Sequence, residues 1–209
     1  MFAARAPDVR MLDILERFSF PAETRVLDLG CAGGRNTIAL AERGFDVYAV
    51  DSARAMVERT RGRISAVLGS AEAERRVRQR RMEDLREFAD ESFRLVVALG
   101  VFQAASTLAL WHSAVAEARR VIGCGDLLLV SHFTPASDLT GDGLRTVPGE
   151  PTVYEGLPGG GRAVLLETAE LDEAFARHGF VPEFRSRRVE VELAVGRRVV
   201  TNALYRRDR

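Results

Sequence analysis

The chain has 209 residues, with 30 basic and 30 acidic side chains, so its formal net charge at pH 7 is zero. Every basic residue is arginine, and the absence of lysine excludes Schiff-base chemistry and the lysine-dependent phosphate sites of P-loop proteins and protein kinases. The length and the 46% hydrophobic content predict one globular domain, residues 1–209. The balanced charge argues against non-specific nucleic-acid binding.

The sequence contains no signal for a membrane or for secretion. No apolar run approaches the roughly 18–20 residues that cross a bilayer, and residues 1–10 lack an apolar signal core. Two cysteines, Cys31 and Cys124, form at most one disulfide and no metal motif. We therefore expect a cytoplasmic protein without a membrane segment or metal, either a monomer or a homodimer.

Strands and helices alternate from the N-terminus to residue 132. Residues 1–20 are predicted to contain a short helix, over 8–18, which Pro21 ends. Further helices are predicted over 35–43, from about Ser52, and over 107–122. The strands that they connect are predicted at 25–29, 45–50, 77–82, 93–99 and 126–132. Such alternation predicts a mostly parallel sheet that is covered by helices on both faces.

The C-terminal third has a different pattern. Residues 133–162 are rich in proline and glycine and predict a long loop, so we interpret 133–167 as a lid-like insertion. A helix is predicted over 168–178, and the alternating segments 180–192 and 197–205 predict a closing hairpin. The complete pattern predicts an α/β fold: a Rossmann-like three-layer sandwich whose mostly parallel seven-stranded sheet ends in a C-terminal antiparallel hairpin.

The strongest motif is the turn after the first strand, in the segment VLDLGCAGGRNT at 26–37. Glycines at such a turn let the backbone approach a ligand closely, and ligands bind at the carboxyl ends of these strands. Asp51 ends the second strand 21 residues after Gly30, where a carboxylate suits a ribose diol. The same carboxylate could instead serve only as a charge at a helix N-terminus.

Two nucleotide-binding patterns can be compared with this turn. The dinucleotide fingerprint Gly-x-Gly-x-x-Gly places its second and third glycines at Ala32 and Arg35, and the second mismatch is serious because that glycine allows tight helix packing. The chain instead resembles the class I S-adenosylmethionine-dependent methyltransferases. Their motif Asp/Glu-x-Gly-x-Gly-x-Gly is matched by Asp28, Gly30 and Gly34, with Ala32 at the middle glycine.

This resemblance extends over residues 23–132 and implies a set of cofactor contacts. Asp28 lies near the amino-acid part of the cofactor, Asp51 holds the ribose, and an acidic residue in the segment MEDL at 82–85 lies near the adenine. Asp84 is our first choice there, with Met82 and Glu83 as alternatives. The complete set comprises Asp28, Gly30, Cys31, Ala32, Gly34, Asn36, Asp51, Ser52, Met82, Glu83, Asp84, Leu99, Gly100 and Phe102. Residues 34–37 are also similar to tellurite-resistance-type methyltransferases.

Several of these residues have a structural interpretation as well. Cys31 and Phe102 could simply pack in the core, and Asp84 could cap a helix. Trp111 is predicted to pack rather than bind.

The resemblance implies methyl transfer from S-adenosyl-L-methionine, with S-adenosyl-L-homocysteine as product. This reaction depends mainly on positioning, and a base matters only if the acceptor must lose a proton. His132, at the carboxyl end of the fifth strand, is the best candidate base, although it could be structural. Tyr154 and Glu155 in the insertion are further candidates for contact with the acceptor.

The acceptor is the open question. Few residues remain for a separate substrate domain, so we expect a small-molecule acceptor, methylated on oxygen, nitrogen, sulfur or carbon. The arginine-rich segment 75–81 raises the alternative of an RNA substrate, unless these arginines pair with Glu72, Glu74 and Glu83. A non-catalytic cofactor-binding module on the same fold is a third hypothesis, since a fold does not imply a function.

Overall fold

A computed structural model describes residues 6–208. The part of the predicted N-terminal segment at 1–5 lies outside these residues. Seven strands follow one another across the main sheet in the order β3 (Val77–Gln79), β2 (Asp46–Asp51), β1 (Arg25–Leu29), β4 (Phe93–Leu99), β5 (Ile122–Phe133), β11 (Arg197–Arg207) and β10 (Arg187–Glu192). Neighbours from β3 to β5 are parallel, whereas β11 is antiparallel to both β5 and β10.

Helices cover both faces of this sheet, as the alternation of strands and helices predicts. One face packs against α1 (Val9–Leu15), α2 (Arg35–Glu42), α3 (Arg54–Leu68) and α4 (Ser70–Arg76). The other packs against α5 (Leu108–Val121) and α6 (Thr168–Arg177). Successive side chains of strand β4 point to opposite faces of the sheet. Leu95 and Val97 belong to the hydrophobic core under α1–α4, whereas Val96 and Ala98 belong to the core under α5 and α6. The predicted three-layer α/β fold is confirmed.

Local chemistry sets where the helices begin. The side chain of Thr107 accepts a hydrogen bond from the backbone of Leu110 and caps α5. At the start of α6, Glu167 and Glu170 form a capping box, in which each side chain accepts from the other residue's backbone. Helix α2 has no side-chain cap and starts instead from Gly34, whose φ of 76° lies in the left-handed region.

The structure differs from the sequence prediction in the C-terminal third. The segment predicted as a long loop contains a separate three-stranded antiparallel sheet of β6 (Arg145–Val147), β7 (Glu150–Glu155) and β8 (Arg162–Val164). Its inward side chains Val147, Val153 and Val164 join the core on the α5 side. The predicted strand at 180–192 is two strands, β9 (Phe180–Pro182) and β10, and both pair with β11.

This topology brings the carboxyl ends of all the parallel strands to one edge of the sheet. The turns after β1, β2, β3 and β4 therefore lie side by side, together with the end of β5 and the start of β11. Among residues 6–208, no helix is both long and apolar enough to cross a membrane.

Candidate active site

A cavity of about 710 Å³ opens along this edge of the sheet. At one end it is lined by the turns after β1, β2 and β3, and at the other by residues of β5, β10 and β11. Eleven of the predicted cofactor residues line it: Asp28, Gly30, Cys31, Ala32, Asn36, Asp51, Ser52, Met82, Glu83, Leu99 and Gly100. The fold thus brings most of the motif residues together around one space.

The glycine turn after β1 is tightly packed against the end of β4. Gly30 has a φ of 74°, and a Cβ atom at this position would lie 2.7 Å from Cγ2 and 2.8 Å from Cβ of Val101. Glycine is needed here because an L side chain would be strained and would also displace Val101. The backbone of Gly30 donates to the carbonyl of Val50 at 2.9 Å, which ties the turn to β2.

Asp51 organises the same turn from the neighbouring strand. Its Oδ2 accepts from the backbone N–H of Ala32 at 2.9 Å, and its Oδ1 accepts from Ala53 at the start of α3 at 2.8 Å. Ala32 is held at a φ of 47°, a conformation that costs a non-glycine residue about 1–2 kcal/mol. Each carboxylate oxygen has a second lone pair, so Asp51 can still accept hydroxyl protons from a ligand in the cavity.

Asp28 is the buried acidic group of the site, with only 3% of its surface exposed. Burial raises the pKa of Asp28 to about 6, although the hydroxyl of Thr37 donates to its Oδ2 at 2.6 Å and the nearby Arg35 favours the charged form. The site therefore contains a buried carboxylate that a cationic ligand would stabilise.

Two predicted residues support the turn from behind. Cys31 lines the cavity but is almost entirely buried; burial raises the pKa of its thiol, which therefore stays protonated at neutral pH. Gly34 does not line the cavity: a Cβ atom there would meet Thr60 at 2.8 Å, so this glycine serves the packing of α2 on α3. The structure therefore indicates a packing role for Gly34 in place of the direct cofactor contact that the sequence predicts.

The adenine candidates after β3 divide into two groups. Met82 and Glu83 line the cavity, and Glu83 pairs with Arg81. Asp84, our first choice from the sequence, does not line it; its Oδ1 accepts from Nε of Arg86 at 2.6 Å in a partly exposed pair. The structure thus favours the alternatives Met82 and Glu83, because the turn directs Asp84 away from the cavity.

His132 is not positioned to act as the base. It is fully buried, its Nε2 accepts from the indole N–H of Trp111 at 3.1 Å, and its Nδ1 lies 2.8 Å from the carbonyl of Phe133. Burial lowers its pKa to about 4, so the ring is neutral and structural. Strand geometry explains the error: Ser131 and Phe133 line the cavity, and His132, between them, faces the opposite side of the sheet.

Three further candidates also lie away from the cavity. Phe102 is fully buried and its ring packs edge-on against Phe175, so the core interpretation is the one that the structure supports. Tyr154 and Glu155 belong to β7 of the small sheet and do not line the cavity. Burial raises the pKa of Tyr154, and Glu155 pairs with Arg162, so neither is poised as a base.

The structure adds cavity residues that sequence reasoning missed. The N-terminal segment crosses the start of α2, where the backbone of Asp8 donates to Oδ1 of Asn36 at 3.0 Å, and brings Arg10 to the cavity. Gln103, Arg198 and Asn202 line the cavity as well. They belong to no motif, and only the alternation of residues in the predicted final strand could have placed Arg198 and Asn202 on one face. Among the residues described, no cluster of His, Cys, Asp and Glu is arranged to hold a metal ion.

Comparison with known proteins agrees with the fold. Residues 26–125 match the family model described as a methyltransferase domain. No curated protein sequence matches the chain. Many solved structures do match, among them that of a SAM-dependent methyltransferase from Methanosarcina mazei, with 16% identity and a TM-score of 0.67 over 93% of this chain and 97% of that one.

Two further matches are to enzymes of named substrates. A 1,6-didemethyltoxoflavin-N1-methyltransferase from Burkholderia thailandensis, solved with that compound and S-adenosylhomocysteine, has 19% identity and a TM-score of 0.69 over 95% of this chain and 76% of that one. A SAM-bound amino pentose methyltransferase from Micromonospora echinaspora has 20% identity and a TM-score of 0.65 over 98% and 92%.

Residues 26–125 thus match a methyltransferase domain, and the chain has the fold of the S-adenosylmethionine-dependent methyltransferase structures that it matches. The methyltransferase domain and the matched structures with bound S-adenosylmethionine or S-adenosylhomocysteine support S-adenosylmethionine as the cofactor. The similarity of residues 34–37 to tellurite-resistance-type enzymes is not tested by these matches and stays a prediction.

Proposed function

We propose that the protein transfers the methyl group of S-adenosylmethionine to a small-molecule acceptor. The observation that carries this proposal is the extent of the cavity, which continues past the cofactor turns to β5 and β11. Its volume of about 710 Å³ lies within the range of about 300–1,000 Å³ that is typical of small-molecule sites. The cavity is thus suited to a cofactor and a small acceptor side by side.

The residues of the cofactor end fit the bound molecule by their chemistry. Asp51 would accept from the ribose hydroxyls, and the buried carboxylate of Asp28 would stabilise the cationic amino-acid part. Met82 supplies an apolar surface for the adenine ring. When bound, S-adenosylmethionine supplies a methyl group already activated by its sulfonium, so the protein's task is to align the acceptor in line with the methyl–sulfur bond.

The surroundings of the arginine-rich segment favour a small acceptor over RNA. Arg75 and Arg76 both pair with Glu72, and Arg76 also pairs with Asp46. Arg80 pairs with Glu87, and Arg81 with Glu83. Arginines that are neutralised in this way would have to break existing ion pairs to bind a phosphate backbone.

Calorimetry with S-adenosylhomocysteine tests the cofactor site. We expect Asp51→Asn to weaken binding at least tenfold, about 1.4 kcal/mol, because an amide cannot accept from the Ala32 amide, the Ala53 amide and the ribose together. Asp46→Asn is the matched control, since Asp46 begins the same strand and lies away from the cavity. No binding of S-adenosylhomocysteine to the folded wild-type protein would refute the proposed function.

The acceptor class is tested by the formation of S-adenosylhomocysteine with a panel of small molecules and with total RNA. Turnover with small molecules supports the proposal. Turnover with RNA alone would overturn it, and cofactor binding without turnover on either would support the non-catalytic module.

A further inference from the structure

The lining of the cavity contains buried polar atoms that lack partners. Buried side-chain atoms without a hydrogen bond include Nη1 of Arg10, Oε1 of Gln103, Nε of Arg198 and Oδ1 of Asn202, and all four residues line the cavity. Gln103 is only 6% exposed. Buried polar atoms in folded proteins nearly always have a partner, so four unpaired atoms that line one cavity indicate that polar groups of a ligand bind there.

Strand geometry places two members of this cluster, Arg198 and Asn202, beyond the cofactor turns. Alternation along β11 puts Arg198, Val200 and Asn202 on one face. In register with them, Phe133 lies opposite Val200, and Ser131 lies opposite Asn202. Both residues of β5 also line the cavity. Because β5 and β11 follow β4 in the sheet, away from β1 and β2, these side chains surround the space next to the cofactor.

The charges of the cluster are positive. Arg10 is paired with Asp8 through Nε at 2.9 Å and Nη2 at 2.6 Å, which leaves its Nη1 for another partner. Among residues 6–208, Arg198 has no ion-pair partner, and its Nε is buried without a hydrogen bond. A guanidinium in this state favours an oxyanion, which it can bind through two parallel hydrogen bonds.

The remaining lining defines the rest of the ligand. The side-chain oxygens of Gln103 and Asn202 accept hydrogen bonds, so the ligand group beside them should be a donor such as a hydroxyl or an amine. Val189, Val200 and Phe133 present apolar surface between the polar groups. The ligand therefore combines an apolar body with an anionic group at one position and a hydrogen-bond donor at another.

From these observations we propose that this cluster is the acceptor subsite and that the acceptor is a small anionic compound. Its carboxylate or phosphate is bound by Arg198 and Arg10, and its hydroxyl or amine, the group that can receive the methyl, donates to Gln103 and Asn202. The proposal rests on the proposed function, since the subsite is an acceptor site only if the neighbouring turns bind S-adenosylmethionine.

Binding of matched probes tests the subsite. We would titrate 4-hydroxybenzoate, 4-hydroxyphenyl phosphate and the neutral 4-hydroxybenzamide into protein saturated with S-adenosylhomocysteine. We expect at least one anionic probe to bind tenfold or more tightly than the amide, and the stronger of the two identifies the oxyanion. Arg198→Gln is expected to reduce this preference to less than twofold while the affinity for S-adenosylhomocysteine stays within twofold of wild type.

The control variant is Arg188→Gln, in the same hairpin. Arg188 lies opposite Thr201 on the other face of the sheet, where it pairs with Glu190, so this change should preserve the anion preference. Binding of S-adenosylhomocysteine without any preference for the anionic probes, or an unchanged preference in Arg198→Gln, would overturn the subsite and leave the proposed function intact. Failure to bind S-adenosylhomocysteine would refute the proposed function itself.

Discussion

Asp28 offers the sharpest test of how the site is built, because burial makes its charged form unfavourable. Its pKa is raised from 3.8 to about 6 by burial, so the folded state holds the proton more tightly than the unfolded state does. The stability gained from this proton is fully present below about pH 4 and is lost as the pH rises through 6. At pH 7.5 the ionised Asp28 therefore lowers the free energy of unfolding by about 3 kcal/mol.

Asp28→Asn removes this charge and keeps an oxygen that can accept from Thr37. We expect the variant to be more stable than wild type by about 1 to 3 kcal/mol at pH 7.5, with the gain falling to about 1 kcal/mol or less at pH 4.5. Binding of S-adenosylhomocysteine should weaken at least tenfold, because the carboxylate that stabilises the amino group is lost. These results would show that Asp28 lowers the stability of the protein while it contributes to cofactor binding.

Urea unfolding at both pH values measures the first effect, and calorimetry at pH 7.5 measures the second. The buried His132 is common to both proteins, so its own titration cancels from the comparison. Asp13→Asn on the exposed face of α1 is the control, for which we expect a change within about 0.5 kcal/mol. A variant that is less stable at pH 7.5, or whose gain is the same at pH 4.5, would show that the buried charge is not the cause.

Substitutions at three other positions test the turn and the histidine. Gly30→Ala should lower the free energy of unfolding by about 2 to 4 kcal/mol, through left-handed strain and the clash with Val101; a loss below 0.5 kcal/mol in urea unfolding would contradict this. Ala32→Gly should relieve backbone strain and raise Tm by about 1 to 4 °C in calorimetric melting, whereas a lower Tm would mean that the φ of 47° is not strained. His132→Ala should cost about 2 to 4 kcal/mol while the folded fraction binds S-adenosylhomocysteine normally, and His132→Gln, which keeps an acceptor, should recover part of the stability. A His132→Gln protein that is stable but no longer binds S-adenosylhomocysteine would show that His132 does contribute to the binding site.

The fold could be predicted because its signals are local and periodic. Buried strands such as β1 and β4 read as short apolar runs, and Gly44 follows the end of α2. The insertion was mispredicted because the strands β6 and β8 have three residues each and lie among prolines and glycines. Such strands are stabilised by packing against the core on the α5 side, a long-range contact that leaves no periodic pattern in so short a segment.

The cofactor end of the site was accessible from the sequence for a similar reason. Asp28, Gly30 and Asp51 lie at the ends of two adjacent parallel strands, and their roles depend on the backbone of those strands. His132 and Asp84 were misplaced because a shift of one residue reverses the direction of a strand side chain, or turns a loop side chain outward.

The class of fold, the glycine turn and the family resemblance could all be predicted from short segments and their spacing. The polar side chains that line the cavity outside the motifs come together only through long-range packing. Arg10, Gln103 and Arg198 are separated by many residues in the chain and belong to three different elements. Their unpaired atoms become informative only when packing removes them from water, since an exposed arginine or glutamine has its hydrogen bonds satisfied by solvent and implies no ligand.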